Sequence, residues 1–337
     1  MTIPTTDIIV PVWNQPFETR ACLVSILNTS RPERLIIVNN GSNRETELML
    51  EEFSDSLGER AVYMTTERNI GFVPAVNRAL ARFESDWAII LRSNSTANEG
   101  WFDRIIQVAQ CGEDRTGIIS PSVSGKKAHS ECRSIETCDI SFSGVMISRA
   151  LYKEIGGFDE GLDGSTWCLR DFQQRSASAG YLTRLAPYAT INGGPEMLFG
   201  SEERRKRLEK ESEATVHERW GKGRDYAVYM PKEAEESYLE NSMQDILKVA
   251  RLGHRIRIFL HGKQHDMSLK HSWNCLHTGI QTEKIPPLLP RRFLSRRIEA
   301  LRAEYPGIEI VKGIEGIPVP GCDTSVPFSV IQKITGG

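Results

Sequence analysis

DIIVPVWNQPFETRACLVSILNTSRPERLIIVNNGS, residues 7–42, holds two apolar runs joined by one amphipathic stretch. Asp7 to Val12 is almost wholly apolar, the pattern of a strand covered on both faces. Phe17 to Asn28 reads as a helix. Arg34 to Val38 is a second strand, and it stops at the turn Asn39-Asn40-Gly41-Ser42. The same unit recurs downstream. Arg44 to Leu57 reads as a helix, Ala61 to Thr65 as a strand, Pro74 to Phe83 as a helix and Trp87 to Leu91 as a strand. This alternation predicts an α/β fold with a mostly parallel sheet between helical layers. Ligands of such open sheets lie beyond the carboxyl ends of the strands. Those ends are Trp13-Asn14, Asn39 to Ser42, Glu67 to Gly71 and Arg92 to Thr96.

Ser141 to Ile147 reads as a strand entering the helix Arg149 to Ile155, which Gly156-Gly157 stops. Asp171 to Ala179 is a helix stopped by Gly180, and Ser201 to about Arg219 is charged and helical. The pattern breaks around Gly221 to Pro231. We therefore expect one domain over residues 1–225 and a small α/β domain over 235–337. The second contains a helix (Ser237 to Ala250), a strand (Arg255 to His261), a basic helix (Pro290 to Tyr305) and a short strand (Ile308 to Val311). The 337 residues suffice for two domains, and 39% hydrophobic with 26% charged composition fits a globular protein. A net charge of -2 gives no pull toward nucleic acid, which is not expected as a partner. No apolar run approaches the ~18–20 residues of a membrane span, and the N-terminus lacks the form of a signal peptide. Seven scattered cysteines without a CxxC pair suit a reducing cytoplasm, the expected location.

Several stretches together resemble glycosyltransferase family 2, of the GT-A fold, over roughly residues 7–221. DIIVPVWN (7–14) is similar to the family's opening strand and loop, and IIVNNGS (36–42) to its VDNGS strand. ERNIGFVPAVNRAL (67–80) resembles its Asn-x-Gly loop and following helix. NEGW (98–101), SFSGVMISRALYKEIGGFDE (141–160) and AGY (179–181) resemble the acceptor-side half, and HERWGKG (217–223) the closing helix. The resemblance implies a nucleotide-diphosphate sugar as donor and a glycan, lipid or protein as acceptor. Carried over motif by motif, it implies donor contacts from Pro11, Trp13, Asn14, Asn39, Asn69, Gly71, Asn77 and Asn94.

The chain departs from the family wherever an acid is needed. Asn39 stands for the base-gripping Asp. Ser93, Asn94, Ser95 and Thr96 stand for the metal-binding segment, with Asn94 at the Asp. The Glu-Asp pair that supplies the base falls on Trp167 to Leu169, and only the later Asp171 survives. Ile191-Asn192 occupies the place of a metal-binding His. Mg²⁺ and Mn²⁺ favour anionic oxygen, so this reading expects no cofactor, with a divalent metal unlikely at the usual site. The remaining candidates for catalysis are weak: Asp171, Arg170 and Arg92. Either Arg92 or Arg170 could place positive charge on a diphosphate, and the bland reading of Arg170 is pairing with Asp171 or an exposed carboxylate.

Other features carry bland readings beside sharper ones. Lys126, Lys127 and His129 form either a solvated loop or a flap over the site. Asp159 and Glu160 suit a structural turn better than a base. His261, His265, His271, Cys275 and His277 lie close in sequence but match no zinc spacing. The run RRFLSRRIEALR (291–302) spaces its apolar residues as a helix packed on a core. Two functional readings follow. One is a transferase of doubtful metal dependence. The other is an inactive fold relative that binds or scaffolds, as a partner of an active transferase.

Overall fold

The apolar run that opens the chain becomes β1 (Thr6–Val12), buried at every position in a computed structural model. The structure describes residues 3–111, 115–123, 132–194 and 202–335. Lys126, Lys127 and His129 lie outside the described residues. The chain divides into two compact units, residues 1–134 with 139–221, and residues 135–138 with 222–337.

In the first unit β1 is followed by α1 (Pro16–Thr29), β2 (Arg34–Asn40), α2 (Arg44–Leu57), β3 (Ala61–Thr66), α3 (Phe72–Leu80) and β4 (Trp87–Ile90). This is the order that the periodicity predicts. β2 and β4 flank β1 in parallel, and β3 extends the sheet parallel to β2. Side chains alternate across each strand. Ile9, Ile36, Val38 and Ile90 therefore pack with Val76 and Ala79 of α3, whereas Ile8, Val10 and Ile37 pack with Leu23 and Ile26 of α1.

The chain continues through β5 (Thr96–Ala97), α4 (Trp101–Gln110), β6 (Thr116–Val123), β7 (Ile135–Glu136, in the second unit) and β8 (Val145–Ser148). It then forms α5 (Arg149–Ile155), α6 (Trp167–Ser178), β9 (Leu182–Asn192) and α7 (Glu202–Trp220). The sheet order is β3-β2-β1-β4-β8-β6-β9-β5, with β8 antiparallel to both neighbours and β5 antiparallel to β9. The fold is thus mixed α/β with a mostly parallel first half, as expected. β2 and β4 leave β1 in opposite directions, so the topological switch point lies at the carboxyl end of β1, where a ligand crevice forms in sheets of this kind.

One buried charge ties this sheet together at its other end. Asp7 is fully buried at the start of β1 and accepts from Arg34 Nη2 (2.8 Å), Ser85 Oγ (2.8 Å) and Glu84 N (2.9 Å). Burial alone would raise its carboxyl, but the Arg34 guanidinium and the donors at 84 and 85 hold it below the ordinary value. A depressed carboxylate pKa adds stability above the unfolded value of ~3.9, and that stability is lost as pH falls through the folded value. Asp7→Asn should cost about 2–4 kcal/mol at pH 7. The gap between wild type and variant should narrow as pH drops below the carboxylate range. Urea unfolding of both proteins across that range checks this, and a gap that stays constant with pH would reject it.

The second unit carries β10 (Asp225–Tyr229), α8 (Glu236–Arg251), β11 (Arg255–Leu260), α9 (Gly262–Lys270) and β12 (Ile280–Lys284). It ends with α10 (Pro290–Glu304), β13 (Glu309–Lys312), β14 (Val326–Pro327) and α11 (Ser329–Thr335). The strands are all parallel in the order β12-β11-β10-β13-β14. Its central strand, β10, lies in the stretch that reads from sequence as a break between domains. The run Tyr226 to Tyr229 is short and bounded by charge, Gly and Pro, yet it is buried throughout. α10 buries Leu294, Ile298 and Leu301 and turns its arginines outward, the core-packed form of the basic run.

Candidate functional site

At the carboxyl edge of the first unit's sheet, three loops are tied to one another through asparagines. β1 ends in Asn14 and Gln15, both left-handed at φ 57, a conformation that costs a non-glycine residue ~1–2 kcal/mol. Successive residues of this kind are characteristic of sites where the backbone is held for a ligand. Asn14 Oδ1 accepts from Asn43 N (2.8 Å), and Asn14 N donates to Ser42 Oγ (2.9 Å). The β1 and β2 loops are therefore one construction. Pro11 is buried within β1, and Trp13 is half-buried beside Asn14.

Asn39, at the position of the family's base-gripping Asp, is almost fully buried. Its Oδ1 accepts from Ser42 N (3.0 Å) and its Nδ2 donates to the Tyr63 hydroxyl (3.2 Å), whose own proton is held more tightly because of burial. The sequence reading overlooked its neighbour Asn40. Asn40 Nδ2 donates to Gly71 O (2.9 Å) and Asn69 Oδ1 (3.1 Å), while Oδ1 accepts from Ile70 N (3.0 Å). Asn69 Oδ1 in turn accepts from Gly71 N (2.8 Å). The Asn-x-Gly loop is thus folded around Asn40, and Asn69 and Gly71 share one local network with the β2 loop. Two adjacent asparagines inside one buried strand end were the available signal.

The β4 end lies on the other side of the switch point. Arg92 donates its backbone N–H to Phe142 O (3.0 Å), and its guanidinium lies 5.9 Å from the Phe72 ring and 6.0 Å from the Phe142 ring. Such placement suits a cation held by ring faces. Ser93 and Ser95 are buried, and Ser95 Oγ meets no hydrogen-bond partner among the described residues. Gly194 packs against Asn94 so closely that a side chain there would strike the Asn94 carbonyl.

Farther along the chain the fold separates several candidates. Asn77 donates to Phe158 O (2.9 Å) and Glu160 Oε1 (3.0 Å) and accepts from Phe158 N (2.9 Å). Its amide is committed to the Gly-Gly-Phe-Asp-Glu turn, so we assign it to the scaffold of α3 and that turn. Asp159 accepts from Gly161 N (2.9 Å) and Arg219 (2.6 Å), and the Arg219 guanidinium lowers its pKa. Asp171 is 1% exposed. Arg175 Nε (2.9 Å), Arg219 Nη1 (3.1 Å) and Trp220 Nε1 (2.9 Å) all donate to it. It joins α6 to α7. Arg170 donates to Gln173 Oε1 (3.1 Å), and the arginines on Asp171 are Arg175 and Arg219.

A carboxylate absent from the sequence reading stands against the Asn-x-Gly loop. Asp163 Oδ1 accepts from Val73 N (2.9 Å) at the first turn of α3, and Oδ2 faces Gly71. Gly71 itself has φ 104, and any side chain there would strike that oxygen. Burial raises the Asp163 carboxyl above its ordinary value, opposed by the backbone donors of Val73, Gly164 and Phe72. No motif surrounds Asp163 in the sequence DGSTW, which explains why it was missed.

In the second unit the histidines do not converge. His261 caps α9 in a box with Gln264, and His277 Nδ1 accepts from Gly279 N (2.9 Å). Among the described residues, the acid and imidazole side chains close enough to share an ion are Glu236, Glu240 and His271, all exposed.

Residues 7–155 match the family model described as glycosyl transferase family 2. No curated protein matches the chain. Among solved structures, the chain is similar to the mannosyltransferase PcManGT from Pyrobaculum calidifontis in complex with GDP-Man and Mn²⁺. The identity is 16%, the match covers 66% of this chain and 66% of that one, and the TM-score is 0.53. It is also similar to GalNAc-T7 with UDP, GalNAc and Mn²⁺, at 12% identity over 90% of this chain and 59% of that one, with a TM-score of 0.55. The chain thus spans under two thirds of either neighbour's length, and likeness at such identity speaks to fold. The resemblance to family 2 and the GT-A fold holds.

The expectation of no cofactor is corrected by the same neighbours, since both are complexed with Mn²⁺. The lack of acids at residues 93–96 does not by itself exclude a metal, since structures of similar fold are complexed with Mn²⁺. The donors at this chain's strand end are the neutral oxygens of Ser93, Asn94, Ser95 and Thr96, which do not match a carboxylate site.

Proposed function

We propose that the first unit, a GT-A domain matching glycosyl transferase family 2, binds a nucleotide-diphosphate sugar beyond the carboxyl ends of β1, β2 and β4. It passes the sugar to a glycan, lipid or protein acceptor. The observation that carries this reading is the asparagine-tied edge itself, in which Asn14, Asn40 and Asn69 fix three loops around the switch point. Pro11, Trp13, Asn14, Asn39, Asn69, Gly71 and Asn94 are the proposed donor contacts. In the transfer, an acceptor hydroxyl oxygen bonds to the anomeric carbon as the bond to the diphosphate breaks. The leaving group gains negative charge, for which Arg92 and Arg170 are the proposed counter-charges. Asp163 is the proposed proton acceptor, since a carboxylate raised by burial is better suited to take a hydroxyl proton.

A second reading, a donor-binding relative without turnover, is favoured by the engagement of Asp171 in ion pairs. Calorimetry with UDP, GDP, CDP and TDP and their sugars, each with and without Mn²⁺, followed by hydrolysis assays, decides between them. One nucleotide should bind clearly better than the rest, and Asn39→Ala should shift that preference. Binding with hydrolysis supports the transferase. Binding without hydrolysis, or without transfer in an acceptor screen, supports the second reading. If no nucleotide binds under either metal condition, the donor site does not exist.

A further inference from the structure

We propose that the second unit carries a separate phosphate-binding hollow at the amino ends of β10, β11 and β12, built on Arg257 and Arg255. The hollow opens to solvent, leaves about 60 Å³ for the centres of water-sized molecules and is lined by Asp225, Arg255, Arg257, Gln281, Leu301 and Tyr305, among others. On this measure one water needs about 10–15 Å³, so the space admits a small oxyanion. Arg257 stands in the middle of β11, in register with Ala227 of β10 and Gln281 of β12. Its Nη2 donates to Gln281 Oε1 (2.7 Å). Its Nη1 is shut off from solvent and meets no acceptor among the described residues. A buried charged donor without an acceptor is costly, and a small turn of the guanidinium toward an anionic oxygen in the hollow removes that cost.

Arg255 lies two residues earlier and so on the same face of the strand. Its guanidinium lies 4.9 Å from the Tyr305 ring, and it holds Asp225 through Nε (2.7 Å) and Nη2 (3.0 Å). Asp225 is the only acid among the lining residues, against two guanidinium groups, so the hollow is net positive. Two further acids lie nearby and are engaged, Glu304 by the Tyr305 hydroxyl and Glu309 by Arg224 Nη1 (3.3 Å). A buried N–H, a planar guanidinium at the mouth and a net positive wall together match a phosphate group. Its source is either free phosphate or the phosphate of a small ester. Nothing in this depends on the donor site of the first unit.

The full chain is titrated with inorganic phosphate and with glycerol 3-phosphate at fixed ionic strength, by calorimetry. A saturable site is expected, weakened about tenfold or more by Arg257→Gln and by a smaller factor by Arg255→Gln. Circular dichroism checks that both variants fold. Tighter binding of the ester identifies an organic phosphate as the ligand, and equal or weaker binding identifies free phosphate. The proposal is overturned if neither anion saturates a site. It is equally overturned if binding is unchanged in both variants, because the phosphate would then sit elsewhere, as on the first unit.

Discussion

Gly41→Ala is expected to lose about 2–4 kcal/mol of stability and to weaken any donor nucleotide at least about tenfold, whereas Gly100→Ala should lose only about 1–2 kcal/mol. Both glycines have positive φ, +67 and +73, so the conformational strain of a side chain is similar. They differ in what a Cβ would meet. At Gly100 the nearest atoms are the end of the Arg104 side chain at 3.7 Å, an ordinary contact that a flexible chain relieves. At Gly41 a Cβ would lie 2.5 Å from Arg68 Cα and Asn69 N, which are backbone atoms of the Asn-x-Gly loop. That loop cannot retreat alone, because Asn40 holds it at Ile70 N, Asn69 and Gly71. The substitution therefore pries apart the two loops that the donor is proposed to bridge. Urea unfolding of the two variants, with nucleotide calorimetry on both, makes the comparison. Equal stabilities, or unchanged nucleotide affinity in Gly41→Ala, would remove the β2 loop from the site.

The same loop shows how far sequence reasoning reached. Buried strands announce themselves when they are continuous and apolar, as β1, β2 and β4 are, and the helices between them were bounded to within a few residues. β6 was not read because Ser120, Pro121 and Ser122 interrupt it, and Pro normally marks an edge. Here the strand is central. Its register against β9 slips between Pro121 and Ser122, where the partner jumps from Ala186 to Thr190, and the irregularity accommodates the proline. The loops proposed to hold the donor are legible as motifs, since Asn-x-Gly and Asn-Asn-Gly-Ser are local in sequence. Asn40 was read as a turn residue because its work is long-range, joining residue 40 to residues 69–71. Asp163 was illegible for a related reason. Its partner Val73 is ninety positions away, and only the fold brings the two together.

Asp171 poses the opposite problem, for the motif names it and the fold encloses it. A surviving acid beside a Cys-Leu-Arg helix looks like a remnant of the catalytic pair, but both of its oxygens are occupied. Oδ2 receives Arg175, and Oδ1 receives Arg219 and Trp220 from the closing helix. Arg175 also donates to Ile155 O (2.9 Å) and Gly157 O (2.7 Å), so the same network reaches the end of α5 and its turn. Removing the carboxylate takes the shared acceptor from Arg175, Arg219 and Trp220, leaving Arg175 on Ile155 O and Gly157 O and Arg219 on Asp159. Breaking a buried pair in this way typically costs about 3–5 kcal/mol, and we expect that loss for Asp171→Ala. Asp171→Asn should also destabilise, because an amide turns a donor toward at least one of three donors. Thermal and urea unfolding give the cost, and turnover per folded molecule gives the second readout. If Asp171 serves structure, the variants unfold early, yet the fraction that remains folded keeps its donor affinity and whatever rate the wild type has. If it serves as the base, the folded fraction of Asp171→Asn loses about 10²–10⁴ in rate, whatever its stability. The two results are exclusive. The second would return the acid of the motif to the reaction and displace Asp163 from it.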